Sequence, residues 1–447
     1  MNLPAHVRGC IDALENAGYS AYAVGGCVRD QLLGLEPQDF DLCTDALPEQ
    51  TQQVFADRAL VLAGLKHGTV GVIFPEDVVE ITTFRTEGDY SDSRHPGWVR
   101  FVDRVEEDLA RRDFTVNAMA WSPTRGLKDP FGGAEDLTHG ILRTVGCAED
   151  RFREDALRIL RGARFAAKYH LQPENRTYEA MIRLAPLMES LARERVFSEL
   201  CKLIMWATAE DLLRYAPIVT QVIPELGKTL GFDQHSRHHA YELYTHIAHV
   251  TAAVPRELTL RWAALLHDVG KPETFTLDEQ GNGHFYGHAQ EGARLAEGIL
   301  HRLKAPTALR QQVTELVEQH MTPLLPQRNV LRRRLSRMGQ QQVLWLLELQ
   351  EADMSSKGTG MLDPEETEHF RLLRSMTAQL LEEAACLTLK DLAVNGNDLM
   401  QLGIPAGKEL GRCLKSLLDR VLDETLPNER EALLKAAKTF VGQGVSN

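Results

Sequence analysis

The sequence has no uninterrupted apolar stretch approaching the roughly 20 residues that a membrane-spanning helix needs. Its apolar residues, 43% of the 447, are interleaved with 25% charged ones. That excludes a helical membrane span and predicts a soluble chain. Cysteine is scarce and scattered: seven residues from Cys10 to Cys413, with no CxxC pair. Such a set excludes a disulfide framework and a cysteine zinc site, and it predicts reduced thiols and a cytoplasmic location. The opening MNLPAHVRGC lacks the basic stretch and apolar block of an export signal. Fixed-period repeats and low-complexity tracts are missing as well. Positive charge is in deficit, with 50 Lys and Arg against 63 Asp and Glu and a net charge of −13, which argues against broad affinity for nucleic acid.

An average hides patches, however. From His301 to Arg337, eight basic residues meet two Glu, and Arg332, Arg333 and Arg334 are adjacent. This is either a solvated helix face or a stripe for a phosphate backbone. At roughly 150 residues per domain, the length predicts about three domains. Residues 1–145 mix short β-rich runs (AYAV, TVGVIF, VVEITTF, VRFV) with helical segments, whereas from about Asp150 onward the patterns are nearly all helical. DEQGNGHFYG and SSKGTGMLDPEE punctuate the helical part as loops.

In AYAVGGCVRDQLLG a strand leads through Gly25 and Gly26 into a helix carrying Arg29. Paired glycines let the backbone approach a ligand, and a helix N-terminus offers N–H groups to an anion; a plain tight turn reads the same way. QDFDLCT alternates as a strand and puts Asp39 and Asp41 on one face. Two parallel carboxylates repel unless cations sit between them, and Mg²⁺ ions clamping a triphosphate supply that situation. Glu80 in VVEITTFR is either a third carboxylate for the same metals or an exposed strand-edge residue. Arg111 and Arg112 are suited to clamping phosphates, although a surface pair with Asp113 has the same signature.

RFREDALRILRGARF, Arg151 to Phe165, places Glu154 and Asp155 ahead of Arg158, Arg161 and Arg164. As one helix, it is either a solvated face with acids and bases placed to suit the helix dipole, or a reader of bases. Steps of three lag by about 60° each, so Asp155 and Arg158 are neighbours while Arg161 and Arg164 wind away. Cytosine and adenine each offer an amino donor beside a ring-nitrogen acceptor, which one Asp-Arg pair matches. Uracil and guanine present the reverse polarity, at a cost of about 1 to 3 kcal/mol per unpaired buried group. Arg161 and Arg164 are left for phosphate, or for holding Asp155 and Arg158 in place.

These segments, with VEITTFRTEGDYSDSRHP, RRDFTVNAMA and DPFGGAEDL, resemble the successive motifs of class II tRNA nucleotidyltransferases, the bacterial CCA-adding enzymes and their poly(A) polymerase relatives. The resemblance implies an α+β fold: a polymerase-β-like head over 1–145, a helical neck over 146–230, an HD-type helical body over 231–355 and a helical tail over 356–447. It implies Mg²⁺ on Asp39 and Asp41, contacts of Gly26 and Arg29 with the incoming nucleotide, Arg112 on the triphosphate, and nucleotide selection by Asp155, Arg158, Arg161 and Arg164. The implied substrates are CTP, ATP and tRNA, the last gripped at its acceptor and T arms by body and tail, with Arg332 to Arg334 as candidates. The polar segment Thr86 to Val99 resembles the loop that accompanies addition of the terminal A, with Arg94-His95 where the family's usual pair is Arg-Arg. Full CCA addition is therefore expected, with an A-adding or CC-adding enzyme or a poly(A) polymerase as rivals.

In the helical half, His246, His267-Asp268, His288, His320 and Asp353 suit a divalent metal. Their order resembles the HD phosphohydrolase superfamily. It implies His246, His267, Asp268 and Asp353 as ligands of a metal such as Ni²⁺ or Mn²⁺, and His288 and His320 as completing a second position. Phosphomonoesters or 2′,3′-cyclic phosphates at RNA ends are the implied substrates. An HD phosphohydrolase with a non-catalytic RNA-binding head is the rival from another class, and intact Asp39 and Asp41 argue against it. The C-terminal region reads as two amphipathic helices.

Overall fold

The computed structural model describes residues 1–88, 99–235, 241–357, 362–383 and 386–443. They form two compact units, Met1–Gly227 with Arg302–Lys304, and Lys228–His301 with Ala305–Asn447. The boundaries expected at 145 and 355 fall inside these units. No helix among the described residues is long and apolar enough to cross a membrane.

The first unit starts with α1 (Ala5–Asn16) and is built on a mixed sheet of seven strands. Those strands are β1 (Ala21–Val24), β2 (Leu42–Thr44), β3 (Leu60–Val61), β4 (Thr69–Ile73), β5 (Val78–Thr83), β8 (Ala120–Ser122) and β9 (Gly126–Lys128), in the order β3-β4-β5-β2-β1-β8-β9. Only β2 and β5 run parallel; the other pairs are antiparallel. A separate ribbon pairs β6 (Arg85–Glu87) with β7 (Val99–Phe101). In β5 the alternation is plain: Val79, Ile81 and Thr83 are buried while Val78 and Glu80 face solvent. Tyr22, Val24, Cys43 and Phe84 pack with Val105 and Leu109 of α4 (Val105–Ala110). Burying a side chain such as Phe84 contributes about 1.5 to 3 kcal/mol.

β1 ends at Gly25, whose φ of +77° turns the chain into α2 (Gly26–Leu32). A Cβ there would stand 2.7 Å from Arg112 Nη1, the end of a side chain that can give way, so it is the backbone conformation that favours glycine. This turn also shortens the strand expected over QDFDLCT. Once β1 has left the sheet, the chain ahead of Leu42 loses its partner. Asp41 keeps one ladder bond, accepting from Val24 N at 2.9 Å, and Asp39 precedes the ladder.

After α3 (Pro48–Val54) and α5 (Gly133–Thr138), the segment expected as one helix over Arg151 to Phe165 is two. α6 (Ala148–Glu154) stops at Asp155, which is extended (φ −143°, ψ 103°), and α7 (Leu157–Tyr169) begins anew. Asp155 causes the break. Its Oδ1 accepts from Leu157 N at 3.0 Å, the local capping bond by which aspartate competes with continued helix. α7 then buries Leu157, Ile159, Leu160, Ala163 and Ala166 and packs mainly on α9 (Arg193–Trp206). The short parallel pair β10 (Ile141–Leu142) and β11 (Gln172–Pro173), α8 (Asn175–Leu184) and α10 to α12 (Ala209–Arg214, Ala216–Val222, Pro224–Gly227) complete the unit.

The second unit is helical: α13 (Leu243–Ala253), α14 (Leu258–Leu266), α15 (Lys271–Thr274), α16 (His288–Arg302), α17 (Thr307–Gln319), α18 (Arg328–Met338), α19 (Gln340–Ser355) and α20 (Pro364–Glu382). α14 is buried along its whole length, which makes it the core helix. The DEQGNGHFYG segment, expected as a loop, carries one arm of a small hairpin, β12 (Thr276–Leu277) with β13 (Gly283–His284). The C-terminal region has three helices where two were expected: α21 (Gly396–Gln401), α22 (Lys408–Leu422) and α23 (Arg430–Gln443). The six-residue α21 is too short to show helical periodicity; Leu399 joins it to the core of Cys413, Leu417, Val421 and Leu433.

Candidate active site

A cavity of about 890 Å³ opens in the first unit and gathers the head residues singled out in the sequence. Gly25, Gly26, Arg29, Asp39, Asp41, Arg111, Arg112, Asp155, Arg158, Arg161 and Arg164 all line it. Ten of its lining residues are Lys or Arg and five are Asp. An acidic chain thus presents a cationic recess, the charge sign a polyphosphate requires.

Asp41 faces this recess with its pKa pushed up to about 6, first by the desolvating walls and then by Asp39 and Glu80, with Arg112 only partly offsetting them. Asp39 and Asp41, side by side in the recess, form an oxygen donor set suited to a hard divalent cation. Glu80 is felt by Asp41, but its side chain lines a neighbouring cavity of about 340 Å³ with His67 and Arg85. Arg111 and Arg112 are anchored by Asp108, a fully buried carboxylate that accepts from Arg111 Nε at 3.0 Å and Arg112 Nη2 at 3.5 Å. Burial raises Asp108, but the two guanidiniums outweigh it and hold the group below the usual carboxylate range.

Arg29 is only 5% exposed. It donates to Asp30 at 2.8 Å, to Asn117 Oδ1 and to the Tyr169 hydroxyl at 2.5 Å, and it lies 4.2 Å over the Tyr169 ring. Asn117 Nδ2 in turn donates to Asp113 at 3.0 Å, and Asp113 receives Arg161 through two bonds of 2.8 and 2.6 Å. Burial pushes Asp113 up, yet Arg161, Asn117 and Arg158 hold it well below the carboxylate range. This chain of bonds ties α2 to α7 and makes Arg29 a structural strut of the cavity as much as a ligand group.

The expected Asp155–Arg158 pair is not the pair the helices form. Because the helix breaks at Asp155, Arg158 donates to Glu154 Oε2 at 2.7 Å and to the Arg111 carbonyl at 3.1 Å. Asp155 Oδ2 instead accepts from Arg195 of α9 at 2.7 Å. Arg161 holds Asp113 rather than Asp155, and Arg164 pairs with Glu199 at 2.7 Å while lying 4.0 Å over Phe165. Arg94-His95 lies outside the described residues.

In the second unit, His246, His267 and Asp268 bring their donor atoms within 4.8 Å of one another, as do Asp268, His288 and His320. His246 Nε2 is 3.0 Å from Asp353, and His267 Nε2 is 3.2 Å from Asp268. The Nδ1 atoms of His246, His267, His288 and His320 face the carbonyls of Ser356, Ala264, Phe285 and Val317 at 3.3, 2.8, 2.8 and 2.6 Å. Each ring thus turns Nδ1 outward to a carbonyl and Nε2 inward to the carboxylates, the orientation of a metal-binding histidine. The converging ring nitrogens and carboxylate oxygens make a donor set that fits a divalent cation. Burial raises Asp268 and Asp353, but the neighbouring histidines with Lys271 and Lys357 drive both well below the carboxylate range. Burial lowers His288, with Asp268 opposing.

The Arg332 to Arg334 cluster has a different fate. Arg332 and Arg333 pair with Glu424 at 3.2 Å and Asp423 at 2.5 Å, and Arg334 donates to Gln319 at 2.8 Å. The charges of Arg332 and Arg333 are met by acids of the tail.

Comparison with known proteins decides the family. A CCA-adding enzyme of Streptococcus thermophilus is 32% identical over 97% of this chain and 96% of its own length. The chain belongs to the CCA-adding enzyme family. One from Bacillus velezensis is also 32% identical, over 93% of each chain. A poly A polymerase head domain model matches residues 21–143, and a tRNA nucleotidyltransferase domain 2 model matches 288–437. The crystal structure of the Bacillus stearothermophilus CCA-adding enzyme in complex with CTP aligns over 100% of both chains, with a TM-score of 0.74 and 29% identity. The Thermotoga maritima enzyme complexed with tRNA shares the fold, with a TM-score of 0.57 at 21% identity over 97% of this chain and 94% of its own.

Within this family member, sequence reasoning missed Asp108, Asn117, Glu154, Tyr169, Arg195 and Glu199, besides Lys271 and Lys357. Asp108 and Glu154 carried a usable signal, standing three or four residues from the arginines they hold. Arg195, forty positions from Asp155, carried none.

Proposed function

We propose that this chain builds and repairs the 3′-terminal CCA of tRNA from CTP and ATP without a nucleic-acid template. The observation that carries the reading is a single cation-rich cavity holding Asp39, Asp41 and Asp155 together. Asp39 and Asp41 would hold Mg²⁺, which when bound acidifies the attacking 3′ hydroxyl and neutralises charge on the departing pyrophosphate. Arg111 and Arg112, held by Asp108, grip the triphosphate. Arg158 retains N–H groups beyond those given to Glu154 and the backbone, and each Asp155 oxygen retains a lone pair. The two side chains therefore meet the amino donor and ring acceptor of cytosine or adenine and reject the opposite polarity, with Arg195 and Glu154 fixing their positions. A cytoplasmic location fits such substrates.

The test offers tRNA ending at the discriminator base, at C, and at CC, with CTP and ATP singly and together. Extension of the first by CCA supports the reading. Addition of A alone or CC alone assigns the narrower enzyme, and unlimited A tails assign a poly(A) polymerase.

The His-Asp cluster supports a second activity. Its nitrogen-rich donor set suits a divalent transition metal such as Ni²⁺ or Mn²⁺ on His246, His267, Asp268 and Asp353, with His288 and His320 beside it. Hydrolysis of phosphomonoesters or 2′,3′-cyclic phosphates at RNA ends fits these ligands.

A further inference from the structure

Beyond the groups assigned above, the head cavity is also lined by Lys168 of α7 and by Lys202 and Trp206 of α9. Arg195, Glu199, Lys202 and Trp206 follow one another at four, three and four positions along α9, so they share one face of it. The contacts of that face follow α7 in order. Arg195 meets Asp155 at 2.7 Å, Glu199 meets Arg164 at 2.7 Å, and the Trp206 ring lies 5.7 Å from Lys168 Nζ. The base reader therefore sits at one end of this face and Trp206 at the other, roughly 16 Å away along the helix axis.

Trp206 is 38% exposed, and two ammoniums flank it. Lys168 Nζ also lies 4.9 Å over the Tyr169 ring, and Lys202, one turn before Trp206, reaches Glu199 at 3.4 Å. Each ammonium carries three N–H donors, so donors remain for a phosphate. Burial lowers the Lys168 ammonium while Asp30 and Asp39 oppose it, which puts this end of the cavity within electrostatic reach of Asp39. Arg112 acts on Asp41 instead. In an in-line transfer the attacking and leaving oxygens stand on opposite sides of the phosphorus. The strand that brings the 3′ hydroxyl thus needs a path clear of the arginines on the departing pyrophosphate, and the Lys168–Trp206 end supplies one.

We propose that Trp206 stacks an unpaired base of the tRNA 3′ end, with Lys168 and Lys202 on the flanking phosphates, and so seats the strand whose 3′ hydroxyl reacts. The proposal rests on the nucleotidyltransferase reading of the cavity and adds the residue that holds its primer. Stacking between cations grips a single strand without reading it, as an end that changes with every addition requires. The distance from the reader exceeds the roughly 3.4 Å step between stacked bases, so the base taken lies upstream of the terminal one.

The test is ATP addition to tRNA ending at CC, with KM for tRNA and KM for ATP measured separately. Trp206→Ala is expected to raise KM for tRNA about tenfold or more while kcat and KM for ATP hold, and Trp206→Phe restores it. An abasic nucleotide at one of the two unpaired positions upstream of the terminal C costs the wild type a similar factor. It costs Trp206→Ala little more, because both changes remove one contact. Lys202→Ala lowers the slope of log affinity against log salt by about 0.7. A KM for tRNA indifferent to Trp206→Ala, or raised by the same factor with every abasic tRNA, overturns the proposal. Filter binding of the same tRNAs without metal or ATP reads the platform apart from the chemistry. Trp206-dependent binding with no A added sinks the CCA reading and leaves the platform standing.

Discussion

The two clusters solve opposite electrostatic problems. In the head cavity Asp39 and Asp41 line a wide recess, and its walls, with the neighbouring carboxylates, raise Asp41 to about 6. In the His-Asp cluster the carboxylates are buried, and lysines and imidazoles hold them well below the carboxylate range. The first arrangement leaves oxygen donors ready for a hard, partly hydrated ion and a large substrate. The second offers nitrogen donors in a closed site, suited to a metal that stays.

The largest effect expected from breaking this contrast is at Asp41. Asp41→Asn lowers CTP incorporation on the order of 10³-fold or more, while tRNA binding, followed by gel shift, persists. Loss of both together would indicate misfolding. Next in size is His267→Ala, which abolishes retention of metal by the helical unit, read by elemental analysis after gel filtration. CTP incorporation stays within about twofold, as expected of sites that share no partners.

A pH series sharpens the comparison further. Asp41 binds its proton more tightly folded than unfolded, so in metal-free protein its ionisation costs stability as pH rises from about 4 to about 6. The melting temperature of Asp41→Asn relative to wild type should climb through that window and level off above it. Mg²⁺ affinity should rise over the same range, because the ion displaces the proton. The smallest effect belongs to Arg333→Ala. Its pair with Asp423 is solvent-screened, and tRNA affinity, measured by filter binding, should shift little.

Most of the head was legible because local pattern and chemistry coincide there. AYAV is β1, GG is the turn, and the buried alternation of VVEITT is β5. Asp39, Asp41 and the arginines singled out in the sequence line one cavity, although their spacing alone also fitted surface pairs and a solvated helix face. The misreadings have one cause, that sequence spacing does not reveal partners. Steps of three from Asp155 looked continuous, but an aspartate that caps Leu157 ends one helix and starts another. Arg158 thereby met Glu154, and Asp155 met an arginine from α9. Likewise Arg332 to Arg334 read as a basic stripe because the acids that meet Arg332 and Arg333 are some ninety residues away. The histidine cluster was legible as types and order, while the outward Nδ1 bonds that aim it depend on helix geometry.

Selection of the incoming base by side chains is the claim on which the rest depends. The direct measurement is single-turnover addition to tRNA ending at CC, with each of the four nucleoside triphosphates, by wild type and Asp155→Ala. Removing one acceptor from the reader should bring UTP and GTP closer to ATP by about 10- to 100-fold, while Arg195→Ala gives a smaller shift in the same direction. Unchanged selectivity in Asp155→Ala, with overall rate reduced or not, contradicts the account.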